Sequence, residues 1–249
     1  MSRLPTLYGH RGAPRLAPEN TLASFRAAAA AGAKAVEFDV ALTFHSRPVV
    51  FHDASLERTT NGTGLLAETT LEALSGLDAG GWFDPSFAGE MVPTLEETID
   101  VLETLGLGAD IELKPDPGRE VETAKVALAV ATDCWPEHAA PPLISSFSRV
   151  ALAAAKDIRP DWPRALCFDL LPQDWSDAAD SLGLSAMCPN ADRLTADQAA
   201  TLVASGFDMM AWTVNEAETV RKLAGWGVRS FCTDVPQELR PLLAQLDLV

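Results

Sequence analysis

Residues 6–38 read TLYGHRGAPRLAPENTLASFRAAAAAGAKAVEF, and this stretch decides the fold class. A short apolar run from Thr6 to Gly9 is followed by an amphipathic pattern from Asn20 to Ala31, which stops at Gly32. A second apolar run follows from Lys34 to Phe38. The two short runs are typical of strands, and the longer pattern is typical of a helix. The stretch therefore predicts two parallel strands joined by a right-handed helical crossover.

The same alternation of strand and helix patterns continues along the chain. Further strand-like runs are Ala109 to Leu113, Leu143 to Ser145, Arg164 to Phe168, Ser185 to Cys188, Asp208 to Thr213 and Arg229 to Cys232. With the first two runs they give eight strands, the number that closes a (β/α)8 barrel of about 250 residues. The chain has 249 residues, so we expect one α/β domain over residues 1–249 with the TIM-barrel architecture.

One connection departs from this pattern, because the second strand is followed by a polar turn too short for a helix and then by the apolar run Pro48 to Phe51. If the chain reverses near His45-Ser46 as a hairpin, antiparallel pairing places Asp39 opposite His52. Residues 54–92 then carry the densest turn signals of the chain. We expect this segment to be a small insertion subdomain over the C-terminal face of the barrel.

The composition limits the partners and the location of the protein. Its formal net charge is −16 and its pI is near 4.5, so nucleic acid and anionic membranes should not be attracted to most of its surface. The chain has neither an N-terminal apolar stretch of signal-peptide length nor a window of about 18 apolar residues. We expect a cytoplasmic protein with no nucleic-acid partner and no stable membrane association, and predict no oligomeric state. The cysteines are expected to be free, buried thiols: Cys134, Cys167, Cys188 and Cys232.

Three acidic residues fall where strands end. Glu37 and Asp39 are two positions apart, so they point to the same face of a strand, and Glu112 ends another strand. Converging carboxylates repel one another unless a cation lies among them, and oxygen-only ligands favour one Mg²⁺ or Ca²⁺ ion. The alternative interpretation is that these acids are structural and form salt bridges with Arg11 and Lys114.

Two of the four histidines, His10 and His52, also lie at strand ends, whereas the others lie in turn-like stretches. A histidine can accept or donate a proton near neutral pH, so this placement favours a general acid–base pair. Arg11 and Lys114 supply the positive charge that an anionic ligand needs inside an acidic protein. Each could instead be only a counter-ion.

Several motifs carry a specific family resemblance. They are Tyr8–Gly12, Pro18–Thr21, Val36–Asp39, Val50–Asp53, Leu56–Gly62, Ile111–Lys114, Ser145–Phe147, Ala211–Asn215 and Thr233-Asp234. On these motifs the chain resembles the bacterial glycerophosphodiester phosphodiesterases of the soluble intracellular type.

The resemblance implies metal-dependent hydrolysis of glycerophosphodiesters, such as glycerophosphocholine or glycerophosphoethanolamine, to sn-glycerol 3-phosphate and an alcohol. It implies that Glu37, Asp39 and Glu112 bind the metal and that the two histidines are the acid and the base. It further implies that Phe147 and Trp212 line the substrate pocket, although both could be core residues.

Two other functions fit the same barrel. A phospholipase acting on intact lipids would need an apolar or basic docking face, which the acidic composition disfavours. A non-catalytic phosphate-binding protein would be expected to lack some of the matched histidines or acids. Two further positions have local structural interpretations: Asn20 or Thr21 as the N-cap of the first helix, and Asp234 as a cap of the last helix.

Overall fold

The structure is a computed structural model that describes residues 4–248, and in these residues nine strands form one sheet. The strands are β1 Leu7–His10, β2 Ala35–Leu42, β3 Pro48–Val50, β4 Gly108–Leu113, β5 Leu143–Ser146, β6 Arg164–Phe168, β7 Ala186–Pro189, β8 Asp208–Ala211 and β9 Ser230–Thr233. Their order is β1-β9-β8-β7-β6-β5-β4-β2-β3, and β1 also pairs with β2. Eight parallel strands therefore close a barrel, which confirms the predicted TIM-barrel fold.

The ninth strand, β3, lies outside the closed ring. It pairs with the last residues of β2 in antiparallel orientation, while the first residues of β2 pair with β1 and β4. β2 thus begins as a barrel strand and continues beyond the rim as one arm of a hairpin. The predicted hairpin is present.

The predicted register of that hairpin was wrong by one residue. Val40 faces Val50, and the backbone N–H of Phe51 donates to the carbonyl of Asp39, so Phe51 and not His52 lies opposite Asp39. The reason is a three-residue turn: Thr43 and Arg47 close it with a backbone hydrogen bond. Its third residue, Ser46, has φ +57°, the left-handed conformation that such turns require.

Helices cover the outside of the barrel. They are α1 Leu22–Ala30, α3 Leu95–Leu105, α4 Glu120–Cys134, α5 Arg149–Ile158, α6 Trp175–Leu182, α7 Ala196–Ala204, α8 Ala217–Gly225 and α9 Pro236–Gln245, whereas the short helix α2 Leu71–Leu74 lies in the segment between β3 and α3. The first of them is capped by Thr21, whose side chain accepts from the N–H of Ser24. Thr94 and Glu97 form a capping box at the start of α3. Among residues 4–248, no helix combines the length and apolarity needed to cross a lipid bilayer.

Residues 51–94 lie between the hairpin and α3, the helix that leads to β4. They contain only the short helix α2 and two 3-10 turns, Leu66–Glu68 and Pro85–Phe87. Apolar side chains of this segment, including Leu56, pack on the β2–β3 hairpin in a small buried cluster separate from the main cores. The segment therefore has an apolar contact with the hairpin that rises from the barrel rim.

Candidate active site

Strand register brings the predicted site residues to one end of the barrel. His10 is the partner of Glu37 between β1 and β2, and Asp39 is the partner of Glu112 between β2 and β4. Lys114 follows β4 directly, two positions after Glu112 and on the same side of the chain. Parallel strands present their carboxyl ends at one rim, so these side chains meet there.

Glu37, Asp39 and Glu112 form a tight cluster. One carboxylate oxygen from each lies within 4.8 Å of the others, and their side chains are 5%, 1% and 13% exposed. Arg11 Nε lies 3.2 Å from Asp39, and Lys114 Nζ lies 3.3 Å from Glu112 and 3.7 Å from Asp39. The salt bridges of the alternative interpretation are thus present, but two cations face three carboxylates.

The pKa values of the three acids reflect this excess of negative charge. Burial raises the pKa of Glu37 well above its usual range, and repulsion from Asp39 and Glu112 raises it further. Burial and the charge of Asp39 raise the pKa of Glu112 to about 7. Burial acts on Asp39 in the same direction, but the charges of Arg11 and Lys114 outweigh it and hold its pKa below the usual range. Burial and mutual repulsion therefore disfavour three negative charges in this cluster.

His10 is fixed by an acid from the last strand. Its Nδ1 lies 2.7 Å from Asp234 Oδ1, and its Nε2 lies 4.0 Å from Glu37. Asp234 also accepts a hydrogen bond from the side-chain amide of Asn215. The expectation that Asp234 caps the last helix is not met: the N-cap of α9 is Val235, without a side-chain cap. Asp234 instead orients an imidazole of the site.

His52 lies in the loop after β3 and is held by its neighbour. Its Nδ1 lies 2.6 Å from Asp53 Oδ1. Burial lowers the pKa of His52, and the nearby Arg11 charge lowers it further against the opposing effect of Asp39. Because a carboxylate can only accept, Nδ1 of each histidine carries the hydrogen when the ring is neutral, which leaves Nε2 as the free acceptor.

The two histidines face one inner cavity of about 230 Å³. Arg11, the acids Glu37 and Glu112, Lys114, Phe147 and Trp212 also line it, so the predicted site residues lie together. The Phe147 and Trp212 rings meet edge to face at 5.5 Å, and Lys114 Nζ is 5.9 Å from the centre of the Phe147 ring. The floor carries groups that sequence analysis assigned no place in the site: Asp110, Cys167, Cys188, Met210 and Cys232.

An outer groove of about 480 Å³ continues from this cavity and shares His52, Lys114 and Phe147 with it. Its walls come from the segment after β3, including Ala54 and Leu66, and from the loops that follow β4 and β5. Phe147 is 45% exposed and presents its ring to solvent. A ligand can therefore extend from the inner cavity into the groove.

Sequence analysis missed two residues between β1 and α1. Asn20, with φ +56°, donates from its side-chain amide to Asp39 at 2.9 Å and is 5% exposed. Glu19 accepts from Arg11 at 2.8 Å. The expectation of a helix cap holds for Thr21, so one short segment caps the helix and also supports the acids and the arginine of the site. The signal in the sequence was the motif Pro18–Thr21, which contains both residues.

The sequence of the chain matches a known protein family. A model of the glycerophosphoryl diester phosphodiesterase family matches residues 10–238. A glycerophosphodiester phosphodiesterase of Caldanaerobacter subterraneus is 32% identical over 235 residues, which cover 92% of this chain and 94% of that protein. One from Bacillus subtilis is 31% identical over 244 residues, covering 91% and 82%.

Solved structures agree with these sequence matches. An Oleispira antarctica phosphodiesterase, solved in complex with its product sn-glycerol 3-phosphate, superimposes with a TM-score of 0.94 at 36% identity. The superposition covers 97% of each chain. A structure from Silicibacter pomeroyi matches with a TM-score of 0.84 at 28% identity over 98% of this chain and 94% of that one.

Proposed function

Because the chain belongs to the glycerophosphoryl diester phosphodiesterase family and is an enzyme of that type, we propose that it hydrolyses glycerophosphodiesters with the help of one divalent cation. Glycerophosphocholine and glycerophosphoethanolamine are the proposed substrates, and sn-glycerol 3-phosphate and an alcohol are the products. The observation that carries the proposal is the meeting of two carboxylate-oriented imidazoles with three acids around one cavity.

The three acids fit a hard cation. Glu37, Asp39 and Glu112 offer only oxygen ligands, which suits Mg²⁺ or Ca²⁺. Beside them, Oδ1 of Asn20 is buried and has no hydrogen-bond partner, although the amide nitrogen of the same side chain bonds Asp39. When bound, the cation would stabilise the negative charge that develops on the phosphate, a contribution of several kcal/mol in metal-dependent catalysis.

Arg11 and Lys114 bind the phosphate in this proposal. Both project into the inner cavity and are already held in place by Glu19, Asp39 and Glu112. Arg11 presents a planar fork that matches two phosphate oxygens, and Lys114 contributes a point charge. Together they orient the phosphorus between the histidines.

His10 and His52 move the protons. Nε2 of one ring accepts the proton of the attacking hydroxyl, which belongs to water or to the glycerol of the substrate. Nε2 of the other ring protonates the departing alkoxide. The two carboxylates at the Nδ1 positions, Asp234 and Asp53, keep each ring in the required orientation.

The inner cavity and the outer groove suit the glycerol and the alcohol of the substrate, respectively. The inner cavity is small enough to select glycerol, while the outer groove is open and accepts the variable alcohol. The groove is lined by the exposed ring of Phe147 and by Asp116, which has no side-chain hydrogen bond or ion pair within residues 4–248. An aromatic face and a free carboxylate favour a cationic alcohol such as choline.

The insertion and the location complete the proposal. We take residues 1–249 as one domain in which residues 54–92 are an insertion that supplies one wall of the groove. The four cysteines are free thiols, which supports a reducing cytoplasm as the site of action.

The substrate is a small soluble molecule, and no nucleic acid takes part.

A metal-controlled assay tests the function. Purified protein is treated with a chelator, dialysed, and supplied with Mg²⁺ or Ca²⁺ and a panel of glycerophosphodiesters, and sn-glycerol 3-phosphate is measured. We expect release only with metal. Activity restricted to intact phospholipid vesicles would support the phospholipase alternative, and binding without turnover in every condition would support the non-catalytic one.

A further inference from the structure

Arg58, in the segment that follows β3, connects two acids from different loops: Asp53 after β3 and Glu19 between β1 and α1. It contacts Asp53 through Nε at 2.5 Å and through a terminal nitrogen at 2.8 Å. It contacts both oxygens of Glu19 through its two terminal nitrogens, each at 2.8 Å. One guanidinium therefore makes two bidentate contacts with residues far apart in the sequence.

Each of these acids holds a different group of the proposed site. Asp53 accepts from Nδ1 of His52 at 2.6 Å, and Glu19 accepts from Arg11 at 2.8 Å. A continuous chain of charged hydrogen bonds thus runs from the imidazole through Arg58 to the arginine of the phosphate site. Moving Arg58 would release both ends at once.

The acids remain ionised in this network. The hydrogen bond from Arg58 is the largest influence on the pKa of Asp53 and lowers it strongly. Burial opposes ionisation of Glu19, but its bonds to Arg58 and Arg11 outweigh burial and lower its pKa. Both acids therefore act as acceptors for the groups that they orient.

Only arginine has the geometry for this position. Its planar fork can serve two carboxylates at once, whereas lysine is a point charge without paired, fixed donors. We propose that Arg58 is a positioning residue that fixes His52 and Arg11 relative to each other. It thereby makes the insertion part of the catalytic apparatus. The role in turnover rests on the proposed function, while the role in orienting the imidazole does not.

Kinetics of Arg58→Lys and Arg58→Gln test the proposal. We expect kcat for glycerophosphocholine to fall about 10- to 100-fold in both variants, the range seen when an orienting hydrogen-bond partner is removed. The matched control is Arg149→Gln, because Arg149 makes a bidentate pair with Asp174 at 2.7 and 2.8 Å and is 40% exposed, against 45% for Arg58. The control pair lies outside both the cavity and the groove, so kcat should not change in it.

A double-mutant cycle separates positioning from loss of structure. Because Arg58 acts through Asp53 on one side and through Glu19 on the other, the losses in kcat caused by Arg58→Gln and Asp53→Asn should be less than additive. Thermal unfolding of Arg58→Gln should shift no more than that of the control. Full activity of Arg58→Lys, or additive losses in the cycle, would overturn the proposal.

A readout that needs no substrate keeps the two proposals distinguishable. In protein labelled with ¹⁵N-histidine, we expect the His52 ring to show one tautomer with Nδ1 protonated, assigned with a His52→Gln variant. Arg58→Gln should shift or broaden this signal, while Arg149→Gln should not. An unchanged His52 signal in Arg58→Gln would refute the positioning role even if the enzyme cleaved no glycerophosphodiester. An altered signal in a protein without turnover would leave the positioning role standing and refute the function.

Discussion

The two sides of the cavity hold their imidazoles in different ways. On one side, His10 ends β1 and is bonded to Asp234 directly after the adjacent strand β9, so the barrel sheet itself fixes the ring. On the other side, His52 follows the hairpin strand β3 and depends on Asp53 and Arg58. The His10 side chain is 18% exposed, that of His52 is 31%, and that of Arg58 is 45%.

We call the His10 side of the cavity the rigid side, because it is part of the barrel sheet. We call the His52 side the adjustable side, because it lies on the hairpin and the insertion. His10 and its partner Asp234 are carried by adjacent strands of the closed sheet, whereas His52 and its partners Asp53 and Arg58 lie outside that sheet in the segment after β3. Exposed ion pairs contribute only about 0–1 kcal/mol each to stability and weaken with salt. The hairpin and insertion can therefore vary without endangering the barrel, although they supply half of the proposed proton-transfer pair.

The largest expected effect comes from removing either ring. We expect His10→Ala and His52→Ala each to lower kcat by at least about 100-fold, since general acid–base catalysis is worth about 10²–10⁴. His138→Ala is the control, because His138 is exposed in a turn. The measurement is turnover of glycerophosphocholine, with thermal unfolding to establish folding. Near wild-type turnover in one variant would show that the two sides do not work as a pair.

The second-largest expected effect comes from removing the charge of Asp234, the partner of His10 on the barrel side of the cavity. Asp234→Asn should lower kcat about 10- to 100-fold, because His10 loses the negatively charged acceptor that orients its ring. Unlike the loss caused by Arg58→Gln, this loss should persist undiminished in an Asp53→Asn background, since within residues 4–248 no hydrogen bond joins the His10–Asp234 pair to the His52–Asp53 pair. If the loss in kcat of the double variant Asp234→Asn/Asp53→Asn differed strongly from the sum of the two single losses, the two sides would not be independent.

The features that could be predicted from the sequence are those that depend on local residue patterns. Side chains alternate along β2, so Glu37 and Asp39 lie on one face. The carboxyl ends of barrel strands meet at one rim, so the cluster with Glu112 could be predicted. The hairpin register could not be predicted, because it depends on whether Ser46 adopts a left-handed conformation.

The supporting residues were missed because their partners are distant in the chain. Asp234 contacts a histidine 224 positions away, and Arg58 contacts Glu19 39 positions away. An acid before a helix is typical of a cap, and an arginine in a turn-rich segment is typical of a solvated surface. Only closure of the barrel and folding of the insertion give these residues their roles.

A smaller effect concerns the acids that lie between the two sides. Metal ligands must be ionised, so protons compete with the cation where burial has raised the pKa of Glu112 to about 7 and that of Glu37 above its usual range. Mg²⁺ affinity should therefore be highest above about pH 7 and fall as the pH decreases, by about tenfold per pH unit for each proton displaced. Calorimetry at pH 6 and pH 8 measures both the affinity and the protons released.

Glu112→Gln sharpens this test, because it removes the titrating group whose pKa lies near 7. The variant should bind Mg²⁺ more weakly at pH 8 and should release fewer protons on binding. A pH-independent affinity in the wild type would mean that the acids are already held ionised by Arg11 and Lys114, as the structural alternative requires.

The smallest effect concerns the groove on the adjustable side. Asp116→Asn should lower kcat/KM for glycerophosphocholine about two- to fivefold, the range of an exposed charge interaction, and leave that for glycerophosphoglycerol unchanged. Asp133→Asn removes the same charge from an exposed position in α4 outside the groove and serves as the control. Equal losses on both substrates would remove Asp116 from head-group selection. A selective loss would assign head-group specificity to the groove, which is lined by Asp116 and also by His52.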